Sequence, residues 1–237
     1  ISRINSLVET LKARTIQDID PNLIANTLSS WRSRKTKPIS VITSNKYVVS
    51  IKSFTRWLWS SGNLPEDPLR GLKKLNDRVG RRHVRRALTH EELQALLSAT
   101  AQSGKRIRGL SPVQRTWLYT LAVYTGLRAS ELASLTRGSF DLSAGTVRVN
   151  ASYSKHRRDD TLPLHRELLG ALSSWLKAMK TNERLFPGNW AKYMQAAPMI
   201  RSDLKRAGIA YEDEEGRFAD FHALRHTFIS SLASSGV

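Results

Sequence analysis

One basic stretch with two prolines divides this 237-residue chain, and it limits the possible fold more than any other feature does. Residues 64–86, LPEDPLRGLKKLNDRVGRRHVRR, place eight lysines and arginines after the prolines, opposed there by the single acid Asp77. Proline interrupts regular structure, and a block of like charges resists burial in a core. We therefore expect two domains, at residues 1–76 and 88–237, joined by a basic linker at residues 77–87.

The chain as a whole is strongly basic, because 38 lysines and arginines stand against 20 acids and give a formal net charge of +18. Such an excess predicts a polyanionic partner. An anionic membrane surface is the alternative to nucleic acid, but no apolar run approaches the roughly 18 residues of a spanning helix, and no signal peptide opens the sequence. Nucleic acid is therefore favoured over a membrane.

Charge density in the basic stretch predicts contacts with nucleic-acid phosphates, with a merely solvated loop as the alternative. The candidate DNA-binding residues are Arg70, Lys73, Lys74, Arg81, Arg82, Arg85 and Arg86.

Three runs of apolar residues at helical spacing predict three amphipathic helices in the first domain. The first covers residues 4–11, the second begins at Asp20-Pro21, and the third runs past Val48 to a stop at Gly62. The first domain is therefore expected to be all helical.

Local signals in the second domain predict helices around one small sheet. Thr89 and Glu92 form a capping box, and Ser111-Pro112 begins a further helix that stops at Gly126. The segments TVRVN and TLPL are typical of two strands, and the polar segment ASYSKHRRDD joins them. Later helices are expected at 165–180, around 190–207 and from about Asp220. The predicted fold is mainly α (α+β), with a small antiparallel β-sheet in the second domain.

The absence of cysteine from the sequence excludes disulfides, thiolate nucleophiles and cysteine-ligated zinc. It suits a reducing compartment, and we expect a cytoplasmic, nucleoid-associated protein of prokaryotic or phage origin.

The segment FHALRHTF, residues 221–228, sets His222, Arg225 and His226 on successive helical turns. Two histidines four residues apart are one element of a zinc site, but the general-base glutamate of that motif is missing and Arg225 would lie beside the metal. For His226 the favoured interpretation is structural, as a capped or buried histidine. His222 and Arg225 share a helix face and can converge on one anion.

Chemistry on a phosphodiester would explain the other candidate residues. The planar fork of an arginine matches two phosphate oxygens, so Arg128, at an expected junction between helices, is a natural second arginine beside Arg225. Lys155, on or beside the turn of the predicted hairpin, could protonate a leaving oxygen, and His222 could exchange protons near neutral pH. Each residue alone reads as a surface charge, and only the combination favours a site.

Three segments together resemble the phage integrase family, also called tyrosine recombinases: TGLRASELASL (125–135), SKHRRDDTLPL (154–164) and HALRHTFISSLASSG (222–236). The resemblance implies that Arg128 and Arg225 are catalytic arginines, that Lys155 is the general acid and that His222 transfers protons. Glu131 matches a family position that looks structural. Residues 1–80 resemble the family's helical core-binding domain only in pattern.

The sequence departs from the family pattern at its end. Members place a further His or Trp and then the nucleophilic tyrosine downstream of the second arginine, whereas all six tyrosines here precede that point: Tyr47, Tyr119, Tyr124, Tyr153, Tyr193 and Tyr211. With Ile1 as its first residue, the chain is expected to be a fragment that cannot cleave DNA by itself.

The resemblance implies a site-specific DNA recombinase or integrase that cuts and rejoins strands through a 3′-phosphotyrosyl intermediate. Its implied partners are double-stranded DNA and further copies of itself on DNA, from dimer to tetramer, with neither a metal nor a small-molecule cofactor. A type IB topoisomerase-like enzyme is one alternative. The other is a non-catalytic DNA-binding protein derived from an integrase, which would not need to keep four catalytic residue types in register.

Overall fold

The chain forms two compact units, Ile1–Arg82 and His83–Val237, called here the first and the second unit. The computed structural model describes residues 2–77, 83–153 and 157–236. Across these ranges the chain is mainly helical, with a small antiparallel sheet in the second unit, which confirms the predicted fold class.

Within residues 2–77 the first unit contains three α-helices, as the apolar spacing predicted: α1 (Ser2–Leu11), α2 (Pro21–Arg32) and α3 (Val41–Ser60). Helix α2 begins at Asp20 because its carboxylate accepts hydrogen bonds from the backbone N–H groups of Asn22 and Leu23, at 2.7 and 3.0 Å. The helices enclose a core of Leu7, Ile19, Ile24, Leu28, Trp31, Val48, Ile51 and Leu69.

The first part of the basic stretch packs against α3. Lys52 donates hydrogen bonds to the carbonyl oxygens of Arg70 and Leu72, at 3.1 and 2.7 Å. Asn45 exchanges two hydrogen bonds with the backbone of Leu75, at 2.8 and 2.9 Å. Residues 70–75 are therefore fixed to the first unit by side chains of its longest helix.

The second unit begins with a strand and ends with a helix. Its helices are α4 (His90–Ala101), α5 (Pro112–Thr125), α6 (Ala129–Ser134), α7 (Arg166–Leu176), α8 (Ala196–Arg206) and α9 (Ala223–Ser234). Its strands are β1 (Val84–Arg85), β2 (Phe140–Asp141), β3 (Thr146–Val149), β4 (Asp160–Pro163) and β5 (Arg217–Phe218).

The strands form two sheets. In the antiparallel sheet β2-β3-β4, Val147 pairs with Phe140 on one side and Leu162 on the other, so the predicted hairpin is present as β3 and β4. The second sheet is a short parallel pair in which Val84 of β1 lies opposite Arg217 of β5.

Residues 83–87, which the sequence analysis placed in the linker, lie in the second unit. His83 stacks on Phe218 with the ring centroids 4.2 Å apart. Arg86 forms two hydrogen bonds with Glu92, at 2.6 and 2.8 Å. This arrangement could not be predicted from the sequence, because the partners of these basic residues lie on α4 and in the later segment that contains β5.

Helix α5 crosses the centre of the second unit and is buried over most of its length. Two helices differ from the predicted spans, because α7 ends at Leu176 and α8 begins only at Ala196. Ahead of α8, Met194 adopts a left-handed backbone with φ 58°, which an α-helix cannot continue through. Among the described residues no helix combines the length and apolar character needed to cross a bilayer.

Candidate active site

The junction between α5 and α6 places Arg128. Gly126 ends α5 with φ 62°, and a Cβ at this position would overlap the ring of Phe228 on α9. Glycine is thus required at position 126 for two reasons: the backbone makes a left-handed turn there, and α9 approaches it closely. The chain then turns so that Arg128 becomes the residue that begins α6.

Glu131 fixes the orientation of Arg128. The buried carboxylate accepts a hydrogen bond from the Arg128 backbone N–H at 2.7 Å and a second one from the guanidinium Nη1 at 2.9 Å. The Arg128 side chain remains 34 % exposed. One edge of the guanidinium is therefore held by protein while the other can meet a ligand, which fits the supporting role expected of Glu131.

The start of α9 brings the second arginine to the same place. Arg225 donates a hydrogen bond to the carbonyl oxygen of Gly126, two residues before Arg128. The structure therefore joins two predicted site residues that are separated by 97 positions in the sequence.

His222, also predicted as a site residue, is solvent-accessible and immediately precedes α9. Partial burial lowers the pKa of its imidazole, and the positive charge of Arg85 lowers this pKa further. His226 and Arg225 lower it by smaller amounts, whereas the carboxylate of Asp220 raises it. The net direction is downward, so the neutral imidazole is favoured and can accept a proton.

His226 is exposed, which contradicts the buried form of its predicted structural role. Helix α9 buries Ala223, Leu224 and Thr227. His226 is two residues after Leu224, so its side chain points to the opposite side of the helix. The rings of His222 and His226 lie 5.7 Å apart, edge to face. Within the described ranges, no group of three or more His, Cys, Asp or Glu side chains is arranged to hold a metal ion.

Asp220 connects the site to β1, and sequence reasoning missed this role. Its buried carboxylate lies 2.9 Å from His83 Nε2 and accepts a hydrogen bond of 2.8 Å from Arg85 Nε. It also accepts a hydrogen bond from the backbone N–H of Ala223 at the start of α9. Burial alone would raise the pKa of Asp220, but the His83 hydrogen bond and the Arg85 charge outweigh it and lower the pKa.

The candidate DNA-binding residues separate into different environments. Arg70, Lys73 and Lys74 are exposed on the first unit. Arg85 pairs with Asp220 near His222, and Arg86 pairs with Glu92 and is only 12 % exposed, which leaves little of it for a ligand. Arg81, Arg82 and the predicted general acid Lys155 lie outside the described residues.

Two tyrosines of the second unit differ in accessibility. Tyr119 is fully buried and donates a hydrogen bond of 2.8 Å to Asp203, and burial raises its pKa well above 10. Such a phenol cannot attack a DNA phosphate in this fold. Tyr153 is exposed on the segment between β3 and β4.

Comparison with known proteins places this arrangement in context. A sequence model described as the phage integrase family matches residues 86–237. The tyrosine recombinase XerC of Azotobacter vinelandii is 29 % identical over 190 residues, which cover 78 % of this chain and 58 % of XerC. A tyrosine recombinase of Thermosipho africanus is 26 % identical over 198 residues, covering 82 % of this chain and 63 % of the relative. The chain therefore spans about three fifths of the length of these relatives.

Two solved structures share the fold. A lambda integrase dimer bound to a COC' core site aligns with 99 % of this chain and 78 % of its own, at a TM-score of 0.72 and 18 % identity. The Tn1549 transposon integrase in complex with transposon right end DNA aligns with 99 % of this chain and 81 % of its own, at a TM-score of 0.72 and 19 % identity. The family match covers more than half of the sequence and contains both arginines, His222 and Glu131, so the chain belongs to the phage integrase family.

Proposed function

We propose that this chain is the part of a site-specific tyrosine recombinase that grips duplex DNA and activates one phosphodiester for attack. The observation that carries the proposal is the hydrogen bond from Arg225 to the Gly126 carbonyl, which brings the two arginines of α6 and α9 to one position. The complete enzyme would cut a strand through a 3′-phosphotyrosyl intermediate and reseal it to another strand.

In this proposal the two arginines stabilise the negative charge that develops on the phosphate. As phosphorus becomes five-coordinate, negative charge grows on its non-bridging oxygens, and guanidinium groups already held in place stabilise that charge without reorganising. Glu131 holds Arg128, and the Gly126 carbonyl holds Arg225. Both forks are therefore arranged before DNA arrives.

Proton transfer falls to His222 and Lys155. Because His222 favours the neutral form, it can take a proton from the attacking hydroxyl or pass one on. Lys155, which falls between Val149 and Asp160 in the sequence, has the proposed role of protonating the leaving 5′ oxygen. A rejoining enzyme of this design keeps the bond energy in the phosphotyrosine, so the proposal includes no nucleotide cofactor.

Duplex DNA and further copies of the enzyme are the proposed partners, and residues 1–76 would form the core-binding domain. The net charge of +18 and the exposed basic residues of the first unit support DNA binding. Self-association rests on the fold neighbour described as a lambda integrase dimer on a core site. A protein with these partners would be found on the chromosome or phage DNA.

Separating DNA binding from cleavage tests the proposal. In a version extended to the length of its relatives, Arg128→Ala and Arg225→Ala should each lower the cleavage rate by about 10²- to 10³-fold, because transition-state contacts are lost. Affinity for the cognate duplex, measured by mobility shift, should change much less. Cleavage that survives either substitution would contradict the proposed site.

A further inference from the structure

A second basic surface lies in the second unit, on residues that the candidate active site does not use. A cleft of about 760 Å³ is lined by Arg106, Arg108 and Lys192, together with Gly109, Gly188 and Asn189. All three basic side chains are exposed. This surface is called the Arg108 cleft below.

A tight turn presents Arg108. Ile107 and Leu110 exchange backbone hydrogen bonds at 3.0 and 2.9 Å, and the two residues between them are both left-handed, with φ 54° at Arg108 and 91° at Gly109. Two consecutive positive φ angles define a type I′ turn, for which Asn and Gly are preferred. An arginine in this conformation is strained relative to one with a negative φ. The strained residue is therefore a candidate for a functional role.

Contacts beneath the turn make it rigid. The buried guanidinium of Arg115 donates hydrogen bonds to the carbonyl oxygens of Lys105 and Leu110, at 2.8 and 3.1 Å. The Arg108 carbonyl accepts a hydrogen bond from Asn189 N–H at 3.2 Å. A Cβ on Gly109 would lie 2.8 Å from the Gly188 Cα, so the two loops approach as closely as glycine allows.

The charge of the cleft is uncompensated. No acidic residue lines it, and within residues 83–153 and 157–236 no salt bridge joins Arg106, Arg108 or Lys192 to a carboxylate. Arg106 instead donates to the Gly109 carbonyl at 3.1 Å, which orients its guanidinium beside the turn.

The segment beyond Lys192 adds a second strained position. Tyr193 is 89 % exposed, and Met194, 71 % exposed, is left-handed like Arg108. Tyr193 directly follows Lys192 in the chain, and tyrosine is among the side chains that hydrogen-bond to phosphate and sugar oxygens of DNA.

We propose that the Arg108 cleft binds neighbouring backbone phosphates of duplex DNA, separate from the phosphate that the active site activates. Two arginines at a rigid turn and Lys192 on the adjoining loop present three positive charges that fit a DNA backbone, and the strain at Arg108 is explained if its side chain must be delivered at that point. The proposal rests on the proposed function, since it names a second contact on the same DNA.

Salt dependence of DNA binding tests the proposal. The triple variant Arg106→Gln, Arg108→Asn, Lys192→Gln removes the three charges, and Asn is chosen at 108 because it tolerates a left-handed backbone. The matched control is Lys177→Gln, Lys180→Gln, Lys205→Gln, which removes three exposed charges of the second unit that do not line the cleft.

Affinity of the 237-residue chain for a duplex of arbitrary sequence is measured between about 50 and 200 mM salt. Each phosphate contact contributes about 0.9 to the slope of log affinity against log salt, so the triple variant should lose about 1 to 3 from that slope. The control should keep the wild-type slope. Melting curves establish that both variants are folded; should the triple variant unfold, Lys192→Gln alone is expected to lower the slope by about 1.

The outcomes separate the two proposals. Wild-type protein that binds no duplex would overturn both. Wild-type binding with a triple variant, or Lys192→Gln alone, that matches the control would overturn only the Arg108 cleft. If the triple variant binds double-stranded RNA less tightly than wild type does, but binds duplex DNA equally well, the assignment of DNA as the ligand of the Arg108 cleft would be overturned.

Discussion

Two arginine–carboxylate pairs in the second unit have opposite surroundings. Arg115 is fully buried and directs its donors to Asp203, Ser103 and two carbonyl oxygens. Arg128 is 34 % exposed, and its described side-chain hydrogen bond goes to Glu131. The first guanidinium is satisfied by the protein, whereas the second keeps an edge for something else.

The difference teaches how one residue type serves two purposes. Burial makes a charge so costly to leave unpaired that Arg115 and Asp203 can only be structural. The Arg128 guanidinium is partly exposed, and its unused donors are available to the phosphate of the proposed site. Exposure and unused donors thus distinguish an arginine that the protein satisfies from one that can meet a ligand, although both carry the same charge.

The largest effect expected from this contrast is on stability. Arg115→Ala should lower the free energy of unfolding by about 3–5 kcal/mol, because it leaves the Asp203 carboxylate buried without its partner. Arg128→Ala should lower it by less, about 1.5–3 kcal/mol, because the buried Glu131 carboxylate loses one charge-assisted hydrogen bond but keeps the one from the backbone N–H of residue 128. Denaturant unfolding of the two variants measures both values, and equal losses would break the distinction.

A smaller effect is expected when the orienting carboxylate of Arg128 is changed. Glu131→Gln keeps the size of the side chain and an oxygen for the Arg128 backbone N–H, but it weakens the hold on the guanidinium. In the extended protein the cleavage rate should fall by about 10- to 100-fold, the scale of a small misplacement, with DNA affinity unchanged. Glu91→Gln, on an exposed acid of α4, is the matched control. Full activity in Glu131→Gln would show that Arg128 needs no such support.

The smallest effect concerns the pKa of His222, which can be followed by NMR of its ring protons. Arg85→Gln should raise this pKa toward its ordinary value of 6.5, because a positive charge that opposes protonation is removed. Asp220→Asn should lower it, because the opposing negative charge is lost. An unchanged pKa in Arg85→Gln would remove Arg85 from the surroundings of His222.

The lowered pKa of His222 also predicts how the stability of the folded state changes with pH. The folded state binds a proton at His222 less readily than the unfolded state does. This group therefore leaves stability unaffected above the unfolded pKa of 6.5, lowers it as the pH falls toward the folded pKa, and adds no further loss below that.

Local sequence signals predicted several helix starts and one helix stop, because these depend on neighbouring residues. The Thr89–Glu92 capping box and the Ser111-Pro112 start are both present, and Gly126 ends α5. Long-range pairing could not be predicted: 135 positions separate Arg85 from Asp220, and nothing in the basic stretch distinguished a residue paired in the second unit from one exposed to solvent. The exposure of His226 likewise depends on which face of α9 packs against α5.

The Arg225–Gly126 hydrogen bond joins residues 99 positions apart, which matters for copies of the protein that are incomplete or partly unfolded. Neither a chain that ends before α9 nor one in which α9 has detached can assemble both arginines beside a phosphate. Under the proposed function, such molecules would keep the positive charge for DNA but lose the arrangement of arginines that activates its backbone. Strand breakage by the complete enzyme would then be restricted to intact copies, whereas defective ones could only occupy the DNA site.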